Sequence, residues 1–193
     1  MSFRYDIRFA GAGAHGLIDA ARVLAEAAAI YEDLYASESC SFGPEARGNS
    51  CRADIILSDR VIESPRVELV DFLLVLTSDA YGAYISDLKP GGLLVVDDGV
   101  ETDDRAYGRL VQKISLCADG DPNLENAQAN IMILGIFASA CNIIGRKSLQ
   151  DAIVGRAPKT LEEEYLASFE YGFGLLEGRG IQCPHRRDRD EGL

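Results

Sequence analysis

With 193 residues, 47% hydrophobic and 26% charged, the chain has the make-up of one globular domain, and a domain of this size buries roughly 70% of the surface its unfolded form exposes. Its net charge of −12 argues against nucleic acid and against an anionic membrane surface as partners, because phosphate-rich surfaces are bound through an excess of Lys and Arg. The five cysteines (Cys40, Cys51, Cys117, Cys141 and Cys183) form no C-x-x-C pair and leave an odd number, which suits reduced thiols in the cytoplasm better than a zinc site, an iron–sulfur cluster or a disulfide framework.

The first residues lead straight into a strand-like segment, Tyr5 to Ala10, with no signal-peptide core ahead of it. A glycine-rich turn follows, Gly11-Ala12-Gly13-Ala14-His15-Gly16. Leu17, Ala20, Ala21, Leu24, Ala25 and Ala28 then recur with the helical period, on a face small enough to lie close to a sheet. Leu34 to Glu38 reads as a second strand, Ser39 to Arg52 as a polar, Gly-rich loop, and Ala53 to Leu57 as a third strand. Asp71 to Thr77 is almost continuously apolar, as a strand covered on both faces should be. Ser78 is placed to cap a helix running to Leu88, which Lys89-Pro90-Gly91-Gly92 breaks before another buried strand, Leu93 to Val96.

A weaker strand is expected at Val111 to Leu116, a loop at Asp119-Gly120-Asp121-Pro122-Asn123, and helices near Leu124–Ile143, Ser148–Val154 and Leu161–Glu177. The apolar stretch Ala127 to Ile144 contains Gln128, Asn130, Ser139 and Asn142 and is marginal in length for a membrane span, so it reads as a helix buried in protein. Strands alternating with helices imply an α/β fold: three-layer α/β/α with an open, mainly parallel sheet and a helical C-terminal third. Residues 1–178 read as a single domain, and 179–193, with the charged run His185 to Glu191, as a flexible tail.

Two glycine motifs suggest chemistry. Gly11-x-Gly13-x-x-Gly16 has the letters and the strand–turn–helix setting of a dinucleotide fingerprint, in which glycines let backbone N–H groups approach a phosphate at a helix N-terminus. Such a site also needs an acid at the end of the second strand; Glu32 and Asp33 come before that strand, and Glu38 is the nearest candidate. The plainer reading is a tight turn that lets helix and strand pack closely. Leu88 to Asp97 with its Pro-Gly-Gly turn, taken together with the first motif, looks like a class I methyltransferase, although the closing section is helical where that fold ends in a β-hairpin. The alternative to the reading below is therefore a stand-alone enzyme using S-adenosylmethionine or NAD(P). His15 is expected to face solvent or a neighbouring subunit; neither it nor His185 pairs with a nucleophile and an orienting carboxylate, so no residue is assigned a catalytic role and no metal site is assigned. The segment Ser41 to Asp54 offers the Arg47 guanidinium, the Glu45 carboxylate, flexible glycines and Arg52, a set suited to gripping a phosphate-bearing ligand or a partner chain.

Together these segments resemble the gamma subunit of the 2-oxoacid:ferredoxin oxidoreductases, in the style of the 2-oxoglutarate and ketoisovalerate branches. The first turn is similar to the family's G-x-G-G-Q-G, with Ala14 and His15 in place of Gly and Gln. Ser41-Phe42-Gly43-Pro44-Glu45-Ala46-Arg47-Gly48-Asn49 resembles its S-Y-G-P-E-x-R-G-G loop, with Asn49 for the second Gly. Ile55 to Asp59 matches its strand ending in Ser-Asp, Leu88 to Gly92 its L-K-P-G-G turn, and Asn130 to Gly135 loosely its N-M-x-x-L-G helix. The resemblance implies a subunit that is inactive alone, within a complex that converts a 2-oxoacid and coenzyme A to acyl-CoA, carbon dioxide and two electrons for ferredoxin. It further implies alpha- and beta-type partners and, where a fourth subunit exists, a delta type. Thiamine diphosphate, Mg and the iron–sulfur clusters would belong to those partners, with no cofactor bound by this chain alone. By the same resemblance Gly43, Pro44, Glu45, Arg47 and Gly48 would border the coenzyme A side of the site or a partner chain, with Gly11, Gly13, His15 and Gly16 forming the glycine turn.

Overall fold

The computed structural model describes residues 3–42, 50–116 and 128–181. The described elements are β1 (Arg4–Ala12), α1 (Leu17–Tyr31), β2 (Tyr35–Phe42), β3 (Ser50–Ser58), β4 (Val70–Val75), α2 (Ser78–Tyr84), β5 (Leu88–Asp97), β6 (Leu110–Ile114), α3 (Ala129–Ala140), α4 (Arg146–Arg156) and α5 (Glu162–Gly174). They build one sheet in the order β2-β3-β1-β4-β5-β6. Parallel pairing joins β1 to β4, β4 to β5 and β5 to β6, whereas β3 runs antiparallel to both β1 and β2. This is the expected α/β architecture with a mainly parallel sheet.

Strand alternation sorts the side chains into two layers. Tyr5, Ile7 and Phe9 of β1 join Phe72 and Leu74 of β4 in a core roofed by α1, α3, α4 and α5. Ala10, Leu73, Val75, Leu94 and Val96 face the opposite way, under Ala80, Tyr81 and Ile85 from α2 and the 3₁₀ turn after it. The thick layer is why α3 is apolar on every side. Its Phe137 ring meets Phe72 of the sheet edge-on at 5.2 Å, and its other side is pressed against α5, where a Cβ at Gly135 would lie 2.6 Å from the Phe173 nitrogen. No helix among the described residues is long and apolar enough to cross a membrane.

Four local readings change. β2 and β3 pair as far as Phe42 opposite Cys51, so Ser39 to Phe42 and Ser50 to Arg52 of the expected polar loop are paired strand. β2 lies at the sheet edge and is half-buried to exposed along its length, which is why its alternation is polar and short in apolar residues. The α2 cap is Thr77, not Ser78: its Oγ1 accepts from the Ala80 N–H at 3.3 Å. The helix stops at Tyr84, and a 3₁₀ turn, Ile85–Asp87, precedes a strand that already starts at Leu88. Lys89 to Gly92 is then a bulge inside β5: Val70 pairs with Leu88 and Phe72 with Leu93, two steps on β4 against five on β5. The Asp119–Asn123 loop, Cys117, Cys183 and the tail beyond Ile181 lie outside the described residues.

Candidate functional site at the carboxyl end of the sheet

Chains leave neighbouring parallel strands β1 and β4 toward opposite faces, β1 into α1 of the thick layer and β4 into α2 of the thin one. In open α/β sheets such a switch point leaves a crevice beyond the carboxyl ends of the strands. A crevice of about 550 Å³ lies there, lined by Gly11 of β1, Ser50 and Cys51 of β3, and Ser78 to Ala80 and Gly82 to Tyr84 of α2. The antiparallel run of β3 brings its first residues, Ser50 and Cys51, to this end.

The glycine turn splits between two jobs. Gly11 lines the crevice, and a Cβ there would meet Leu76 Cβ at 3.0 Å and His15 Nδ1 at 3.2 Å. Gly13 and His15 form a single 3₁₀ turn. His15 is half-buried, and its Nδ1 accepts from the Ala12 N–H at 3.2 Å. Gly16 takes the left-handed backbone (φ 63°) that leads into α1, and a Cβ there would sit 2.9 Å from Asn130 Cβ. Asn130 therefore packs closely against the start of α1. Glu38 lies on β2, separated from β1 by β3, and pairs with Arg22 at 3.8 Å. Among the described residues the dinucleotide reading thus lacks its acid, and the methyltransferase reading lacks its closing hairpin, since the antiparallel strands sit at the opposite edge of the sheet.

Gly43, Pro44, Glu45, Arg47 and Gly48 lie outside the described residues. Beneath the crevice, buried Arg8 of β1 donates from Nε and Nη2 to the two Asp54 oxygens at 2.6 and 3.0 Å, and from Nη1 to Asp87. Burial opposes the Arg8 charge, but the hydrogen bonds and field of Asp54 and Asp87 outweigh it and raise its pKa above the ordinary value. The Tyr84 ring centre lies 5.0 Å from the Arg8 guanidinium carbon and 5.5 Å from that of Arg52. Sequence reasoning missed this network, because a charge in mid-strand gives no local signal of its partner; Arg8 and Asp54, each at the polar phase of an otherwise buried strand, were the one trace.

A second clamp holds the α2 wall. Tyr81 donates its hydroxyl to Asp103 Oδ1 at 3.0 Å, and the hydroxyl accepts from the Asp103 N–H at 3.1 Å. Hydrogen bonds from Arg105 come first among the causes that hold the Asp103 carboxyl down at about 2. Because this folded-state value lies below the ordinary 3.8, the carboxylate favours the folded state above about pH 4 and loses that contribution as pH falls through 2. A carboxyl-carbon NMR titration should place the Asp103 midpoint near 2, and Arg105→Gln should return it toward 3.8. A wild-type midpoint near 4 would contradict the clamp.

The crevice wall itself is chemically quiet. Burial comes first in pushing the Cys51 thiol up, followed by the nearby Cys40, which works against a nucleophilic thiolate. Peptide-resolved alkylation should accordingly modify exposed Cys40 at least ~10-fold faster than Cys51, which is only 4% exposed. Among the described residues no group of three His, Cys, Asp or Glu side chains could hold a metal ion.

Comparison with known proteins agrees with this geometry. Residues 6–175 match the family model for pyruvate ferredoxin/flavodoxin oxidoreductase. The chain is 33% identical over 180 residues to the 2-oxoglutarate synthase subunit KorC of Methanocaldococcus jannaschii, covering 92% of this chain and 96% of that one. It is 34% identical over 180 residues to KorC of Methanothermobacter thermautotrophicus, covering 90% and 95%. The crystal structure of a keto/oxoacid ferredoxin oxidoreductase gamma subunit from Geobacter sulfurreducens superposes with a TM-score of 0.75 at 31% identity, over 90% of this chain and 97% of that one. The 2-oxoglutarate:ferredoxin oxidoreductase of Magnetococcus marinus, solved with coenzyme A bound, shares the fold over 95% of this chain and 32% of its own, with a TM-score of 0.78 at 21% identity. The chain belongs to the pyruvate ferredoxin/flavodoxin oxidoreductase family, as a gamma-type subunit of a multi-subunit 2-oxoacid oxidoreductase.

Proposed function

We propose that this subunit frames the coenzyme A side of an active site whose reacting groups are carried by other chains. The observation that carries the reading is the position of Ser50 and Cys51: they close the Gly43–Asn49 segment and line the crevice opposite α2. In the assembled enzyme a 2-oxoacid and coenzyme A give acyl-CoA, carbon dioxide and two electrons. Thiamine diphosphate with Mg and the iron–sulfur clusters sit in the alpha-, beta- or delta-type partners, and ferredoxin takes the electrons. On this reading Glu45, Arg47 and Gly48 serve the coenzyme A side of the site, and the Arg47 guanidinium binds a phosphate of coenzyme A by charge-assisted hydrogen bonds.

In the assembled complex, Arg47→Ala should raise the KM for coenzyme A ~10-fold or more, the worth of one such bond, with the KM for the 2-oxoacid unchanged within ~2-fold. An unchanged dependence of rate on coenzyme A would remove Arg47 from the site. The reading also requires that the purified chain alone turn over no 2-oxoacid with an electron acceptor; turnover without partners would refute it.

A further inference from the structure

We propose that Arg8 is a positioning residue that sets the width of the crevice, linking the strand that follows the Gly43–Asn49 segment to the helix forming the opposite wall. The inference rests on reading the crevice as the coenzyme A side of the site. One side chain, 1% exposed at mid-strand in β1, reaches three elements at once. Its fork binds both Asp54 oxygens on β3, its third nitrogen binds Asp87 just beyond α2, and its carbon lies 5.0 Å from the ring of Tyr84 at the end of α2. Of the residues so tied, Tyr84 lines the cavity, and Asp54 stands three residues along β3 from Cys51, which lines the other wall. Arg52, next to Cys51, is drawn to the same carboxylate at 3.4 Å and to the same ring at 5.5 Å.

Energy alone does not account for this arrangement. Desolvating a guanidinium and a carboxylate consumes most of what their attraction returns, and an apolar pair of similar volume would serve a core as well. What an apolar pair lacks is direction. A bidentate fork fixes the angle of Asp54, and a cation close to the ring fixes Tyr84, so the two walls keep one separation whether or not a ligand lies between them.

The test uses the assembled complex carrying Arg8→Met together with Asp54→Leu, which removes both charges and keeps the volume. The expected result is a complex as thermally stable as wild type whose KM for coenzyme A rises ~10-fold, with the KM for the 2-oxoacid and kcat at saturating coenzyme A within ~2-fold of wild type. A purely structural role would change the yield of folded complex and leave the KM for coenzyme A alone. Arg8→Lys, which keeps the charge without the fork, should give an intermediate KM; it also supplies the measurement if the double variant does not assemble, and a wild-type KM in that variant would overturn the proposal. Ser50→Trp, placed at the crevice wall, is measured in parallel. If Ser50→Trp raises the KM for coenzyme A and the Arg8 variants do not, Arg8 has no positioning role and the crevice reading stands. If none of them moves it, both fall.

Discussion

Gly135→Ala is expected to destabilise the chain by ~3 kcal/mol or more, lowering its melting temperature by roughly 6–12 °C. The new Cβ would fall inside the carbonyl oxygen of Phe169 and 2.6 Å from the Phe173 nitrogen, so it meets backbone rather than a side chain that can swing away. The partner position is equally tight: a Cβ at Gly172 would overlap the Met132 carbonyl oxygen and lie 2.8 Å from the Met132 carbonyl carbon. Two backbones in contact leave no room for repacking, and α3 can yield only by moving off the sheet, where Phe137 is wedged against Phe72. Gly155→Ala provides the control, because a Cβ on α4 would meet nothing nearer than Tyr31 Oη at 3.9 Å. That change should be neutral or stabilise by about 0.5 kcal/mol through helix propensity. Urea denaturation of both variants checks the pair. Equal stabilities would contradict the close crossing of α3 and α5.

Arg8→Met as a single change should cost ~3 kcal/mol, the lower end for a broken buried pair, because it leaves the Asp54 carboxylate, 4% exposed, without its two hydrogen bonds and with only the looser Arg52 contact at 3.4 Å. Adding Asp54→Leu should restore most of that loss, since no buried charge is then left alone, while Asp87, 36% exposed, is solvated without its partner. The recovery matters more than the loss. It separates the pair's small net contribution to stability from the large penalty of breaking it, and it supplies a folded background in which the geometry of the crevice is the only thing altered. A double variant no more stable than Arg8→Met would mean that the ion pair itself, not the avoidance of a lone charge, holds the sheet together.

The contrast between these two sites shows what the sequence made legible. Asp71 to Thr77 announced a buried strand because covered strands are apolar without interruption, and Leu17 to Ala28 announced a helix because its small residues keep one period. Gly135 was visible as the last letter of a helix resembling N-M-x-x-L-G, but its partner Gly172 lies on another helix and no local pattern joins them. The end of β2 and the start of β3 read as loop, since an edge strand open to solvent carries Ser39 and Ser41 where a covered strand would carry apolar residues. The bulge at Lys89 to Gly92 was read as a helix breaker because Pro-Gly-Gly ends helices and interrupts strands with the same letters. Gly11 and Ser50, which follows the Gly43–Asn49 segment, do meet at the crevice, whereas Gly16 faces α3. The switch point that creates the crevice depends on which face α1 and α2 choose, and that choice is made only when the whole sheet forms.

Light-activated labelling of the assembled complex decides the central claim most directly. A coenzyme A analogue carrying a photoreactive group would be cross-linked in the presence and absence of excess coenzyme A, and the labelled peptides of every subunit sequenced. Protectable label on this chain at the segment spanning Gly43 to Arg52, or on Ser78 to Tyr84 opposite it, is the expected outcome. Label confined to the other subunits, with these two stretches untouched, would contradict the account.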